Sequence, residues 1–197
     1  MRMNRLLLST CISSLMAFLP AASAAAAVNR CAAAKPNAAS YTWNFQNEAD
    51  NIFEDIQADA ARAQYHADQL QIFVRDQQVS WQSQAIELDQ VRSAVNDMGE
   101  RLCRLETIRG AVAPWQQRTI DRIAPTIRLM ADNAQDAIVF GNNNQHILWS
   151  PTYRKYAANL YTEARQLNHT AEHAVEFAKV NTEYRELRKD LGTKSSS

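Results

Sequence analysis

The chain predicts an all-α protein, an up-down bundle of four long amphipathic helices, and three observations carry that expectation. Apolar residues recur at alternating steps of three and four over most of residues 44–190, the spacing that lines one face of a helix. Only four glycines and five prolines punctuate 197 residues, so the breaks between segments are few and distinct. Alanine, glutamine and leucine are abundant, and all three favour helix over sheet. The alternative architecture is a long helical hairpin paired as a coiled-coil dimer.

The first segment is read as an export signal. Arg2 and Arg5 give a basic start, Leu6 to Leu19 form an apolar run, and Ala22-Ser23-Ala24 offers small residues for cleavage. A signal peptide over 1–24 is therefore expected. The run is too short to span a bilayer, so no stable membrane insertion is expected once it is removed. Leu8-Ser9-Thr10 before Cys11 lacks the small residue that a lipid-anchored cysteine follows. Residues 25–43, interrupted by Pro36, read as a flexible lead-in. The helical bundle is expected over 44–192, with a frayed tail at 193–197.

From Phe45 the periodicity is strong. Phe53, Ile56, Ala60, Ala63, Ala67, Leu70 and Val74 form one seam; Trp81, Leu88, Val91, Val95, Met98, Leu102 and Leu105 resume it. The phase never slips, which suits one continuous helix. A hairpin turning within Arg75-Asp76-Gln77-Gln78-Val79, with Ser80 as the next N-cap, suits the lengths better. Helices near 44–74, 80–109, 114–140 and 150–190 are then broadly similar, as an up-down bundle needs.

The cysteines bear on the same choice. Cleavage leaves Cys31 and Cys103, and two thiols in an oxidising compartment commonly pair. A continuous helix from 45 to 103 is about 87 Å long, whereas the extended tether from Cys31 reaches only about 45 Å. The hairpin brings Cys103 back near residue 51, within reach. A Cys31–Cys103 disulfide that staples the N-terminal segment to the bundle is expected. With no Cys-x-x-Cys pair, a redox-catalytic role is not.

Gly110 to Pro114 breaks the chain, and Pro114 suits the first turn of a third helix. Ile120, Ile123, Ile127, Met130, Ala134 and Ala137 form its stripe, with Pro125 inside it as an expected kink. Gly141 to Gln145 reads as a turn, and Ser150-Pro151 as N-cap and first helical residue. The last helix carries Tyr153, Ala157, Leu160, Ala164, Leu167, Ala171 and Ala174. Phe177, Val180, Tyr184, Leu187 and Leu191 continue as a slightly shifted stripe.

Charge narrows the function classes. Loss of Arg2 and Arg5 with the leader leaves 19 basic against 21 acidic residues. Without a basic block to track phosphates, nucleic acid is not an expected partner. His169-Thr170-Ala171-Glu172-His173 matches His-x-x-Glu-His, whose spacing resembles the inverted zinc-peptidase motif. That chemistry needs a further acidic ligand well downstream and a mixed α/β scaffold, and only 24 residues follow His173. His169 and His173 remain candidates for surface metal chelation, aided by Glu176. No Glu-x-x-His, haem-attachment motif, phosphate loop or nucleophile elbow occurs. No cofactor and no catalytic residue is therefore assigned. Asp50, Asp55 and Asp59 read as the acidic start of a helix.

Trp43, Trp81, Trp115 and Trp149 each lie near a helix start. In an up-down bundle Trp43 and Trp115 share one end, Trp81 and Trp149 the other, where they pack or line a binding mouth. Ile52, Phe73, Ile86 and Ile108 fall beside the main stripes as candidate partner-facing residues. These features favour a non-enzymatic periplasmic or secreted protein with a structural or protein-interaction role, its partner another envelope protein or itself. The alternatives are a periplasmic small-ligand or metal sensor and a holdase-type chaperone.

Overall fold

The computed structural model describes residues 44–194, and among them every regular element is helical. Helix α1 spans Gln46–Phe73, α2 Trp81–Ile108, α3 Pro114–Asn143 and α4 Pro151–Lys194. Single 3₁₀ turns at Arg109–Ala111 and Gln145–Ile147 make the second and third connections. Each helix packs on its neighbours in sequence, and α4 closes the ring against α1. The result is an all-α, up-down bundle of four antiparallel helices. The expected signal peptide over 1–24, the expected lead-in over 25–43 and the last three residues lie outside the described part of the chain.

The break between α1 and α2 rules out the continuous helix. It needs neither glycine nor proline, because a side chain makes the turn. Asp76 Oδ1 accepts from the Gln78 backbone N–H at 2.8 Å, an Asx turn that reverses the chain locally. Ser80, in extended conformation, then caps α2 by accepting from Ser83 N at 3.2 Å. No residue here, or elsewhere in the described part, adopts positive φ.

The α2–α3 connection is tied to the start of α1. Fully buried Gln116 accepts from Ala113 N at 2.8 Å and donates to the Gln46 carbonyl at 2.8 Å and to Asp50 Oδ1 at 2.7 Å. Pro114 occupies the first turn of α3. At the other end α3 runs on through Gly141 to Asn143, beyond the turn expected there. Asn144 ends it, its Nδ2 donating to the Phe140 carbonyl at 2.9 Å. Ser150 Oγ accepts from Tyr153 N at 3.4 Å and starts α4.

The core is a single cluster running the length of the bundle. Phe53, Ile56, Leu70, Met98, Leu102, Leu105, Ile120, Ile123, Ile127, Met130 and Tyr153 supply its bulk. Alanines on α1 and α4 (Ala60, Ala63, Ala67, Ala157, Ala164, Ala171) are fully buried, which lets these two helix axes approach closely. Pro125 is exposed rather than inside the stripe. Two residues past Ile123, it stands roughly 200° around the helix from it, so its ring disturbs no core contact.

Candidate functional site

Helix α4 is much longer than the other three. At 1.5 Å per residue the 44-residue α4 is roughly 66 Å long, against roughly 42 Å for 28-residue α1. Two contacts align them: Arg154 Nε donates to the Val74 carbonyl at one end, and Arg185 Nη1 to Gln46 Oε1 at the other, at 3.3 and 3.5 Å. Past Arg185, α4 therefore runs beyond the end of its main partner.

What the sequence presents as a continuing core stripe is exposed along this part of α4. Phe177, Val180, Tyr184, Leu187 and Leu191 are each between 51% and 69% exposed. Ala171, Ala174 and Ala178 face the bundle. The exposed stripe stands roughly 130° around the helix from them. Phe177 makes an edge-on contact with Trp115, ring centroids 4.9 Å apart. Of the residues expected to face a partner, Ile108 is buried, Ile52 is partly buried against the core and Ile86 is 62% exposed.

The three described tryptophans sit at the bundle ends. Trp115, 6.1 Å from Phe53, lies at the end where α1 begins; Trp43 is outside the described residues. Trp81 and Trp149 border a cavity of about 220 Å³ at the opposite end, with Asp76, Gln84, Gln145, His146 and Leu148 in its wall. Gln84 is buried, its Nε2 donates to the Val79 carbonyl at 3.5 Å, and its Oε1 has no partner among the described residues. Nearby, Tyr153 stacks on Phe140 at 5.8 Å, and burial pushes its phenol up to about 12.

His169 and His173 lie exposed, one turn apart on α4, with their Nε2 atoms 3.2 Å from each other. Glu176 Oε2 lies 3.3 Å from the other ring nitrogen of His173, so it orients the ring and stands away from the shared edge. Among the described residues no group of three or more His, Cys, Asp or Glu side chains converges as a metal site. Two imidazoles are fewer than the three or four protein ligands of a zinc centre.

A polar seam joins α1 to α2. Buried Asp59 accepts from Arg101 Nη1 and, at 2.9 Å, from Arg62 Nη2, which also reaches Asp97 at 2.5 Å. Arg101 Nε lies 3.4 Å from Asp55, and Arg104 grips Glu48 through two bonds. His66 Nδ1 pairs with Glu87 at 2.7 Å. Asp55 and Asp59 thus serve the interhelix contact, and Asp50 holds Gln116, where the sequence suggested a dipole role. Burial raises the carboxyls of Asp59 and Asp50 above their ordinary range; Arg101 opposes it at Asp59, and the Gln116 hydrogen bond at Asp50. The shallow groove beside this seam, lined by Glu48, Ile52, Asp97, Glu100, Arg101 and Arg104, has its arginines paired.

Cys103 is half-buried on α2. The Arg104–Glu48 contact puts it level with the first turns of α1; Cys31 lies outside the described residues. Among those residues no helix is long and apolar enough to cross a membrane. No protein-family model, curated protein or solved structure matches this chain.

Proposed function

We propose that the protein is an exported, non-enzymatic component of the cell envelope that binds a protein partner, another envelope protein or a copy of itself, through the exposed face of α4. The observation that carries this reading is the five-residue stripe from Phe177 to Leu191. Large apolar side chains scattered singly on a surface need no explanation, but a contiguous row marks an interaction site. The last two residues of the row, Leu187 and Leu191, lie past Arg185 and beyond α1, where an incoming segment meets least obstruction. The leader sequence supports export to the periplasm or beyond. A Cys31–Cys103 disulfide fits the same picture: Cys103 stands beside the start of α1, within the tether's reach, and would fasten the N-terminal segment to α2.

The test is photo-crosslinking in exporting cells, with the reactive residue at Tyr184 or Leu187 and a control at exposed Arg165. A discrete protein adduct from the stripe positions alone is expected. Equal labelling at all three positions, or none, refutes the reading. Smears spread over many unfolded chains would point instead to a holdase.

The cavity between Trp81 and Trp149 supports a second reading, a small-ligand sensor. Two indoles and a buried amide suit a small polar ligand with a flat apolar face. Ligand-dependent quenching of tryptophan fluorescence, abolished by Trp149→Ala, is its signature.

A further inference from the structure

We infer that the occupant of the α4 face is a second copy of this chain, docked parallel along the same stripe. The inference rests on reading that face as an interaction surface and names its partner. Steps of three, four, three and four from Phe177 through Val180, Tyr184 and Leu187 to Leu191 are the a and d positions of a heptad seam. Such a seam is self-complementary when the same row from another copy packs against it.

The flanking charges select the direction. With Phe177, Tyr184 and Leu191 at a, the g positions are Glu176, Glu183 and Asp190, and the e positions include Asn181 and Arg188. In a parallel pair each g residue meets the e residue five positions on in the other helix. Glu183 of each copy then faces Arg188 of the other, giving two symmetric ion pairs. Neither side chain forms an ion pair within the chain among the described residues. An antiparallel pair sets the acidic g edge against itself and leaves Arg188 on the e edge with no acidic partner. The charges therefore favour the parallel arrangement.

The fold leaves room for it. The stripe stands roughly 130° around α4 from the bundle-facing alanines, so the two bundles lie on largely opposite sides of the seam. Residues after Arg185 have no α1 alongside them. Little more than two heptads take part, and short seams associate weakly. The dimer should depend on concentration.

Analytical ultracentrifugation of the full mature chain tests this. Wild type should dimerise as concentration rises, and Leu187→Glu should be monomeric with an unchanged thermal transition. Glu183→Arg and Arg188→Glu should each weaken self-association roughly tenfold. An equimolar mixture of the two should recover it, because parallel pairing sets the new arginine of one variant against the new glutamate of the other. A wild type monomeric at every concentration overturns the inference, and so does a mixture no tighter than its components. A monomer that dimerises only after residues 25–43 are deleted would assign the face to that segment. If the wild type is monomeric yet Tyr184 crosslinks in cells to a different protein, the second copy fails and the interaction reading stands. Absence of both dimer and adduct ends both.

Discussion

The two halves of α4 carry apolar rows of similar spacing and opposite fate. From Tyr153 to Ala174 the row is buried, and four of its members are alanine. From Phe177 to Leu191 it is exposed and contains no alanine. Spacing alone marks a face without saying what covers it. Side-chain size discriminates better, because a helix seated between two neighbours at close range needs small residues. A row of phenylalanine, valine, tyrosine and leucine fits a looser, two-helix seam.

Substitutions that treat the halves alike sharpen this contrast. The largest effect is expected from Leu160→Ala, which opens a cavity at a fully buried position and should cost about 3 kcal/mol in urea unfolding. Leu187→Ala, the same chemical change on the exposed row, should stay within about 0.5 kcal/mol for the monomer. Equal costs would mean that the C-terminal row is also packed within the chain. Next comes Ala164→Leu, where added volume meets a closed helix contact and should destabilise by about 1–3 kcal/mol. Tyr184→Ala, by contrast, should leave the melting temperature unchanged.

A further contrast concerns charge. Glu163 is buried beside Ala164, with Asn133 Nδ2 donating to Oε1 at 2.6 Å and Oε2 unpartnered among the described residues. Burial raises its pKa above the ordinary value, against the Asn133 hydrogen bond. The folded state then holds this proton more tightly than the unfolded chain. Ionised Glu163 therefore costs stability above its folded pKa, and the cost is relieved as pH falls through that value towards the ordinary glutamate pKa. Glu163→Gln should stabilise the protein at pH 7 by on the order of 1 kcal/mol. In denaturation series at successive pH values that gain should shrink toward acid. A gain that is constant with pH would refute the buried-carboxylate account.

The helices were largely legible in the sequence because their signals are local. Ser80, Pro114 and Ser150-Pro151 mark starts by backbone chemistry that acts within one turn, and α1 to α3 begin and end within three residues of the expected bounds. The α1–α2 turn was harder, since Asp76 supplies what glycine or proline normally does. The asymmetry of α4 was not legible from periodicity: where α1 stops alongside it depends on how two distant segments align. The Asp59–Arg101 and His66–Glu87 pairs join different helices and leave no mark within either one. Facing carboxylates and arginines on two adjacent amphipathic segments were the available signal.

Closure of the bundle joins its first helix to its last, and this sets the order in which the chain can fold as it emerges. The α1–α2 and α2–α3 hairpins can form from neighbouring segments, but α1 completes its contact with α4 only after Arg185 is released. At ordinary synthesis rates that is on the order of 10 s after α1 is complete. During that interval the waiting stripe of α1 is partly alanine (Ala49, Ala60, Ala63, Ala67), less adhesive than a leucine row of equal length. The residues that permit close approach in the finished bundle also leave its half-made form with less apolar surface on that stripe.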